Sequence, residues 1–145
     1  MPTGNRFHEL GTGVTIFETF AAFGQRLTDR SFIQIQTGGE FPTDTEKATR
    51  AAFFRSALGN TFAQNQGLGR IWTPMVELIA DRDFETGART NWDIIPEMQV
   101  ALSKRQHVRL NVGVRTPMNN TTGRDTQLMF YVLWDFFDGG LREGW

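Results

Sequence analysis

The segment from 107 to 115 constrains the fold more than any other, because it reads H-V-R-L-N-V-G-V-R. Four apolar residues, Val108, Leu110, Val112 and Val114, alternate with polar or small ones. Strict alternation with a period of two is typical of a β-strand that has one apolar and one polar face. The main question for the whole chain is therefore whether the apolar face meets a protein core or lipid.

Six other segments alternate in the same way, so the sequence predicts seven strands. We expect them at roughly 13–27, 31–40, 50–60, 70–81, 91–103, 107–115 and 124–137, after a Gly/Pro/Asn-rich loop at 1–12. Residues 48–58, A-T-R-A-A-F-F-R-S-A-L, also favour a helix by propensity, which is the alternative for the third strand.

An internal repeat indicates that two of these strand pairs are equivalent hairpins. Leu27–Pro42 aligns with Leu102–Pro117 in the shared frame L-x-x-R-x-x-[IV]-x-[IL]-x-x-G-x-x-x-P. Hairpin repetition is expected of an up-and-down antiparallel barrel. A three-residue turn K-R-Q would pair Ala101 with Arg109, and it would place Arg115 diagonal to Glu97, within reach of a salt bridge.

The composition excludes several classes of protein. The chain has no cysteine, so a disulfide framework, a Cys-type zinc site and thiol catalysis are excluded. The net charge of −1 gives no strong attraction to nucleic acid. The sequence contains no run of about 18 apolar residues, which a membrane helix would need, and its first residues contain no apolar signal-peptide region. The mean hydropathy of −0.36 suits a soluble protein, but it also suits a membrane barrel, half of whose side chains face a polar interior.

The candidate catalytic and metal-binding motifs are weak. There is no G-x-S-x-G motif, and the nearest Ser–His combination is Ser103 with His107 across a predicted turn. The segment D-R-D-F-E could hold a divalent cation, but it is more typical of a solvated charged loop. We therefore expect no enzymatic activity, no metal and no cofactor.

The predicted links between strands alternate in length. Those after the first and fifth strands are short, whereas those after the second, fourth and sixth are long and polar. Barrels of the bacterial outer membrane have short periplasmic turns and longer outer loops. Placed in that way, this chain would begin outside the cell and would have an odd number of strands. We therefore expect the C-terminal portion of a larger barrel, closed by missing N-terminal strands or by oligomerisation, because an open edge is untenable in lipid.

The polar faces of the predicted strands would line the interior of such a barrel. The predicted lumen residues are Glu18, Gln34, Gln36, Arg55, Glu77, Asp81, Glu97, Arg109, Asn111, Arg115 and Gln127. These side chains could simply pair with one another and hold the barrel round, or they could filter solutes by charge and hydrogen bonding. The alternative to a membrane barrel is a soluble antiparallel barrel or sandwich that binds a ligand or a partner.

Several segments resemble one family of outer-membrane proteins. I-W-T-P-M-V-E-L, W-D-I-I-P-E-M-Q-V-A-L and V-R-L-N-V-G-V-R-T-P-M are similar to the C-terminal half of the transporters grouped as the phenol meta-pathway family, as are L-G-T-G-V-T-I-F-E-T-F and T-G-G-E-F-P-T-D-T upstream. The resemblance spans about Leu10 to Phe137. It implies a barrel of roughly ten to twelve strands that passes small, often aromatic or apolar, compounds. The ending G-G-L-R-E-G-W departs from the pattern, since the terminal aromatic residue lies beyond the last strand.

The sequence therefore predicts an all-β protein: an antiparallel up-and-down barrel of the outer-membrane type, with seven to eight strands in this chain. Residues 1–145 would form a single barrel domain or the C-terminal fragment of one. Its expected partners are a small-molecule solute and the lipid of a Gram-negative outer membrane, with no nucleic acid.

Overall fold

A computed structural model describes residues 13–63, 71–103 and 108–135, which consist of β-strands and their connections. The strands are β1 (Ile16–Arg26), β2 (Ser31–Pro42), β3 (Ala51–Asn60), β4 (Phe62–Ala63), β5 (Ile71–Asp83), β6 (Asn91–Ala101), β7 (Val108–Pro117) and β8 (Gln127–Trp134). The described part of the chain contains no helix long and apolar enough to cross a membrane. The all-β prediction is confirmed.

All strands belong to one antiparallel sheet in the order β1-β2-β3-β5-β6-β7-β8. The two residues of β4 pair with β5 in the register already set by β3, so β3 and β4 form one strand interrupted near Thr61. The sheet thus has seven up-and-down strands, as the alternation predicted. The helical alternative for 48–58 is wrong because this segment pairs with strands on both sides, and cross-strand packing overrides helix propensity.

The two hairpins of the repeat form as predicted. In the first, the Leu27 amide donates to the Ser31 carbonyl at 2.9 Å, and the Thr28 hydroxyl accepts from the Ser31 amide at 2.9 Å. In the second, Ala101 lies opposite Arg109, which is the register required by a three-residue turn. The turn residues 104–107, including His107, lie outside the described part of the chain.

The sheet is curved and has two chemically different faces. The concave face includes a register row that runs from Ala22 through Gln36, Arg55 and Ile79 to Asp93. The convex face includes the adjacent row, with Phe23, Ile35, Ser56, Leu78 and Ile94. We assign the first face to the concave side because its residues on both outer strands, Ala22 of β1 and Met129 of β8, line one cavity together with Ile79 and Ile95 between them.

Neighbouring strands are staggered along the sheet. Ala21 at the centre of β1 is in register, through Thr37, Phe54 and Ala80, with Trp92, the second residue of β6. The stagger is about one residue for each strand crossed, as expected when a sheet curls towards a barrel.

The sheet is not closed within the described residues. No Cα atom of β1 lies within 8 Å of a Cα atom of β8, and each of these strands pairs on one side only. The described residues therefore form an open, curved sheet.

Candidate conduit surface on the concave face

The strand register places every predicted lumen residue on the concave face. These residues are Glu18, Gln34, Gln36, Arg55, Glu77, Asp81, Glu97, Arg109, Asn111, Arg115 and Gln127. Glu18 and Gln127 lie on the outer strands β1 and β8 and are exposed, whereas Asn111 is only 1% exposed. The concave face is therefore the polar face of the sheet.

Two cavities follow the concave face along the strands. The larger has a volume of about 860 Å³, and its wall combines Arg55, Asp81 and Arg115 with apolar residues such as Ile79 and Ile95. The smaller, of about 330 Å³, lies towards the short turns and includes Thr73, Gln99, Arg109 and Tyr131. Gln34, Ala57 and Glu77 line both cavities, so the two are adjacent parts of one groove.

The most buried charged side chain on the concave face of the described strands is that of Asp93, whose exposed fraction is 0%. Arg115 donates from Nε to Asp93 Oδ2 at 2.8 Å and contacts the same oxygen through Nη2, while Arg124 Nη2 donates to Oδ1 at 2.5 Å. Arg115 Nη2 also lies 4.0 Å from Asp81 Oδ1. Two guanidiniums thus compensate the cost of removing the Asp93 carboxylate from water.

The predicted salt bridge between Arg115 and Glu97 is wrong, since Arg115 binds Asp93. The register places Glu97 and Asp93 on the two diagonals from Arg115, so strand geometry alone allowed either partner. Arg124, from the loop after β7, also binds Asp93, so both guanidiniums lie at the Asp93 end of the strand pair. One carboxylate oxygen of Glu97, Oε1, is buried without a hydrogen-bond partner among the described residues.

The loop between β7 and β8, residues 118–126, is fastened to the start of β6. Asn119 accepts from the Trp92 amide at 2.8 Å and donates to the Thr90 carbonyl at 3.0 Å. Asn120 has a φ of 46° and donates to the same carbonyl at 3.2 Å. Left-handed backbone is tolerated by asparagine better than by most residues. These bonds hold the loop where Arg124 can reach Asp93.

A second polar contact lies at the middle of the groove. Asn111 Nδ2 donates to the Tyr131 hydroxyl at 2.9 Å, linking β7 to β8. Next to Asn111, a Cβ atom added to Gly113 would lie 2.8 Å from Glu97 Cβ and 3.0 Å from Ile95 Cγ2. Only glycine leaves room there for the Glu97 side chain to cross the face.

Some residues of the groove were not predicted. Asp93 has the same strand parity as Glu97, so the alternation of β6 contained the signal for it. Tyr131 lies between Met129 and Leu133 on the concave face of β8. Both faces of this strand are largely apolar, so the sequence does not predict which face is concave. Arg124 belongs to a loop, and no strand pattern predicts where a loop folds.

The candidate catalytic and metal motifs gain no further support. The Ser103 hydroxyl accepts a hydrogen bond from the Val108 amide at 3.1 Å, and its proposed partner His107 lies outside the described residues. Within residues 13–63, 71–103 and 108–135, no group of three or more His, Asp or Glu side chains could hold a metal ion.

Comparisons with known proteins give no relative: no protein-family model matches the chain, and no curated protein or solved structure is significantly similar to it. The resemblance to the phenol meta-pathway family therefore stays a prediction.

Proposed function

We propose that this chain forms part of the wall of a β-barrel in the outer membrane of a Gram-negative bacterium, and that small molecules pass along its concave face. The observation that carries the proposal is the distribution of charge. The charged strand residues on the concave face are Glu18, Arg26, Glu40, Arg55, Glu77, Asp81, Asp83, Asp93, Glu97, Arg109 and Arg115. Among the described strands, the convex face carries only Arg82, next to the end of β5. A polar interior with an apolar exterior is the arrangement of a membrane barrel.

The convex face exposes large apolar side chains with nothing covering them in the described part of the chain. Phe130 is 75% exposed, and Leu128, Phe17 and Phe23 are more than half exposed. Seven strands about 4.8 Å apart with an apolar band about 25 Å tall give a surface on the order of 800 Å². Soluble monomers rarely expose a contiguous apolar patch larger than a few hundred Å². Contact with lipid accounts for this surface without a second layer of protein.

Aromatic residues of the convex face lie near both ends of the strands. Phe62, Trp72 and Trp134 are near the short turns, and Phe17, Phe41 and Trp92 are near the long loops. Membrane barrels carry aromatic girdles at the two interfaces of the bilayer, where the rings meet the headgroups. The two sets support an orientation with the strands crossing the membrane.

The groove itself supports passage of small solutes that have both polar and apolar parts. Its wall combines Ile79, Ile95 and Met129 with two arginines, and the Arg55 guanidinium lies 4.7 Å from the centre of the Phe53 ring. Such a surface can contact an apolar or aromatic body and hydrogen-bond its polar groups at the same time. This agrees with the solutes that the family resemblance implies.

The experiment uses two adjacent positions that face opposite ways. Ala57 lines both cavities, whereas Leu58 is the next residue and lies on the convex face. In a protein whose four native tryptophans are replaced by phenylalanine, Ala57→Trp and Leu58→Trp are each reconstituted into vesicles. We expect lipids with brominated acyl chains to quench Leu58→Trp, and the Ala57→Trp indole to be shielded from them.

The same pair of variants tests passage through the groove. In the closed barrel that the proposal requires, an indole at position 57 should narrow the groove and slow uptake of small solutes into the vesicles, while an indole at position 58 should leave uptake unchanged. Equal quenching of both indoles would contradict the membrane orientation. Protein that stays monodisperse in buffer without detergent would instead support the soluble ligand- or partner-binding alternative.

A further inference from the structure

An apolar groove crosses the convex face near the long loops. Thr19, Gly39 and Ala52 line it and lie in one register row across β1, β2 and β3. Its volume is about 470 Å³, and Phe41 and Phe84 contribute to its wall. A Cβ atom on Gly39 would lie 3.1 Å from the Phe41 ring, so a larger residue there would crowd this wall. The groove has the shape and chemistry to receive a narrow apolar body such as a hydrocarbon chain.

The one charged residue on the convex face of the described strands lies at the end of this groove. Ala52 pairs with Arg82, so the register row of the groove continues directly to this arginine. Arg82 is exposed and has no ion pair with any residue that the structure describes. Its neighbours Asp81 and Asp83 have the opposite strand parity and belong to the concave face. Its guanidinium therefore remains available to bind an anion, and its planar set of donors matches phosphate oxygens.

The segment before β3 places a second arginine at the same end. The Phe84 amide donates to the Arg50 carbonyl at 2.8 Å, which continues the register in which Ala52 pairs with Arg82. Arg50 is exposed, and its strand parity is that of the convex face. The nearby carboxylate of Glu85 accepts a hydrogen bond from the Thr49 hydroxyl at 2.7 Å. The end of the groove nearest the long loops is thus the cationic part of the convex face.

The direction of the groove matches the layout of a lipid in the proposed membrane orientation. Arg82 is the second-last residue of β5 and adjoins a long loop, whereas Thr19 lies near the centre of β1. The register row therefore descends from the headgroup level at Arg82 into the apolar band at Thr19. A lipid likewise has its phosphate at the headgroup level and its acyl chains below.

We propose that this groove binds one anionic lipid of the membrane, with its phosphate at Arg82 and an acyl chain along Thr19, Gly39 and Ala52. The proposal rests on the membrane orientation proposed above and adds that the convex face selects one lipid by its charge. Charge complementarity favours a lipid over a second copy of this chain. The convex face of the described strands offers no negative charge that could meet Arg82 of another copy.

A second cavity of the convex face provides a matched control. Its volume of about 430 Å³ is similar, and Leu58, Pro74 and Val76 line it towards the short turns. No charged side chain is among the described residues that line it. This cavity should therefore accept the acyl chain of any lipid without a preference for its headgroup.

The experiment measures lipid selectivity at both cavities with one indole in each. In the protein whose four native tryptophans are replaced by phenylalanine, Phe41→Trp labels the groove and Leu58→Trp labels the second cavity. Each protein is reconstituted in phosphatidylcholine vesicles that contain the same minor fraction of either phosphatidylglycerol or phosphatidylcholine with brominated acyl chains. From the quenching, we expect the association constant of phosphatidylglycerol to exceed that of phosphatidylcholine about threefold to fivefold at Phe41→Trp. At Leu58→Trp the two constants should be equal.

Two pairs of variants in the Phe41→Trp protein separate the charge from the groove. Arg82→Gln should remove the preference for phosphatidylglycerol, whereas Arg89→Gln should retain it, because it loses the same charge in the loop between β5 and β6. Ala52→Phe fills the groove and should also remove the preference although Arg82 is intact. Val76→Phe places the same side chain in the second cavity and should leave the preference unchanged.

Several results would overturn the proposal. Equal association constants at Phe41→Trp would refute the lipid site but leave the membrane orientation intact, since both lipids would still quench the indole. Absence of quenching at both indoles would refute the membrane orientation together with the site. An equal loss of preference in Arg82→Gln and Arg89→Gln would show a general attraction of anionic lipid to this end of the protein. Cross-linking between copies through Thr19→Cys in vesicles would show that a second copy covers the groove.

Discussion

Arginine substitutions along the convex face of β7 test whether that face contacts lipid, as we propose. Val112 lies near the centre of β7, and the convex residues of this strand are Val108, Leu110, Val112, Val114 and Thr116. An arginine facing lipid costs about 2–4 kcal/mol at the midplane of the bilayer and about 0–1 kcal/mol near an interface. We therefore expect Val112→Arg to destabilise the protein by about 2–4 kcal/mol, a loss of roughly 30- to 700-fold in the folding equilibrium constant.

The destabilisation caused by arginine should depend on the position of the substituted residue along the strand. At a rise of about 3.3 Å per residue and a strand tilt of about 35°, Thr116 lies roughly 11 Å higher or lower than Val112, which is close to the edge of an apolar band about 25 Å tall. Thr116→Arg should therefore cost less than about 1 kcal/mol, and Val114→Arg an intermediate amount. The expected result is a single maximum at the centre of the strand.

Urea titration of protein folded into lipid vesicles, followed by tryptophan fluorescence, measures these differences. Gln99→Arg is the matched control. Gln99 pairs with Asn111, the residue next to Val112, so it lies at nearly the same height but on the concave face. We expect it to change the free energy of unfolding by less than about 1 kcal/mol, since its guanidinium enters the polar groove. A profile that is flat along β7, or a Gln99→Arg protein destabilised as much as Val112→Arg, would refute the lipid-facing assignment.

Two further perturbations test features inside the sheet. Arg124→Gln removes one of the two guanidiniums that bind the fully buried carboxylate of Asp93. We expect the free energy of unfolding, measured by urea titration, to fall by about 1–3 kcal/mol, which is less than when a buried charge loses its last partner. The amides of residues 118–126 should also exchange faster with solvent. Gly38→Ala places a Cβ atom 2.2 Å from the Thr19 carbonyl oxygen and should lower the free energy of unfolding by about 1–3 kcal/mol. Gly24→Ala is the matched control: its Cβ atom meets nothing closer than 3.9 Å, so its stability should be close to that of the native protein. Equal stabilities of the two variants would contradict the close approach of β1 and β2 at Gly38.

The strand pattern was predictable because alternation and turn length fix both strand position and register. Ser31 begins β2 as expected, and the Ala101–Arg109 pair follows from the length of one turn. The concave assignment of the polar residues follows from the same two facts. Each of these inferences depends only on residues adjacent in sequence or joined by a short hairpin.

The remaining features depend on distant parts of the chain. Arg124 reaches Asp93 because the loop 118–126 folds back onto β6, and no local pattern of residues encodes that path. The direction of Tyr131 depends on how β8 pairs with β7, since both of its faces are largely apolar. Whether β1 and β8 meet is decided by the curvature of the entire sheet.

The stagger of the strands has a consequence for the height of the wall. A shift of about one residue, or 3.3 Å, for every 4.8 Å across the sheet corresponds to strands tilted by about 35° from the axis around which the sheet curls. At that tilt a ten-residue strand such as β3 rises about 27 Å, close to the 25 Å apolar band of a barrel. Measured from Glu77 at the middle of β5, Arg82 would be about 14 Å higher. In the proposed membrane orientation, this tilt places Arg82 at the rim of the apolar band, where its side chain can reach the headgroups.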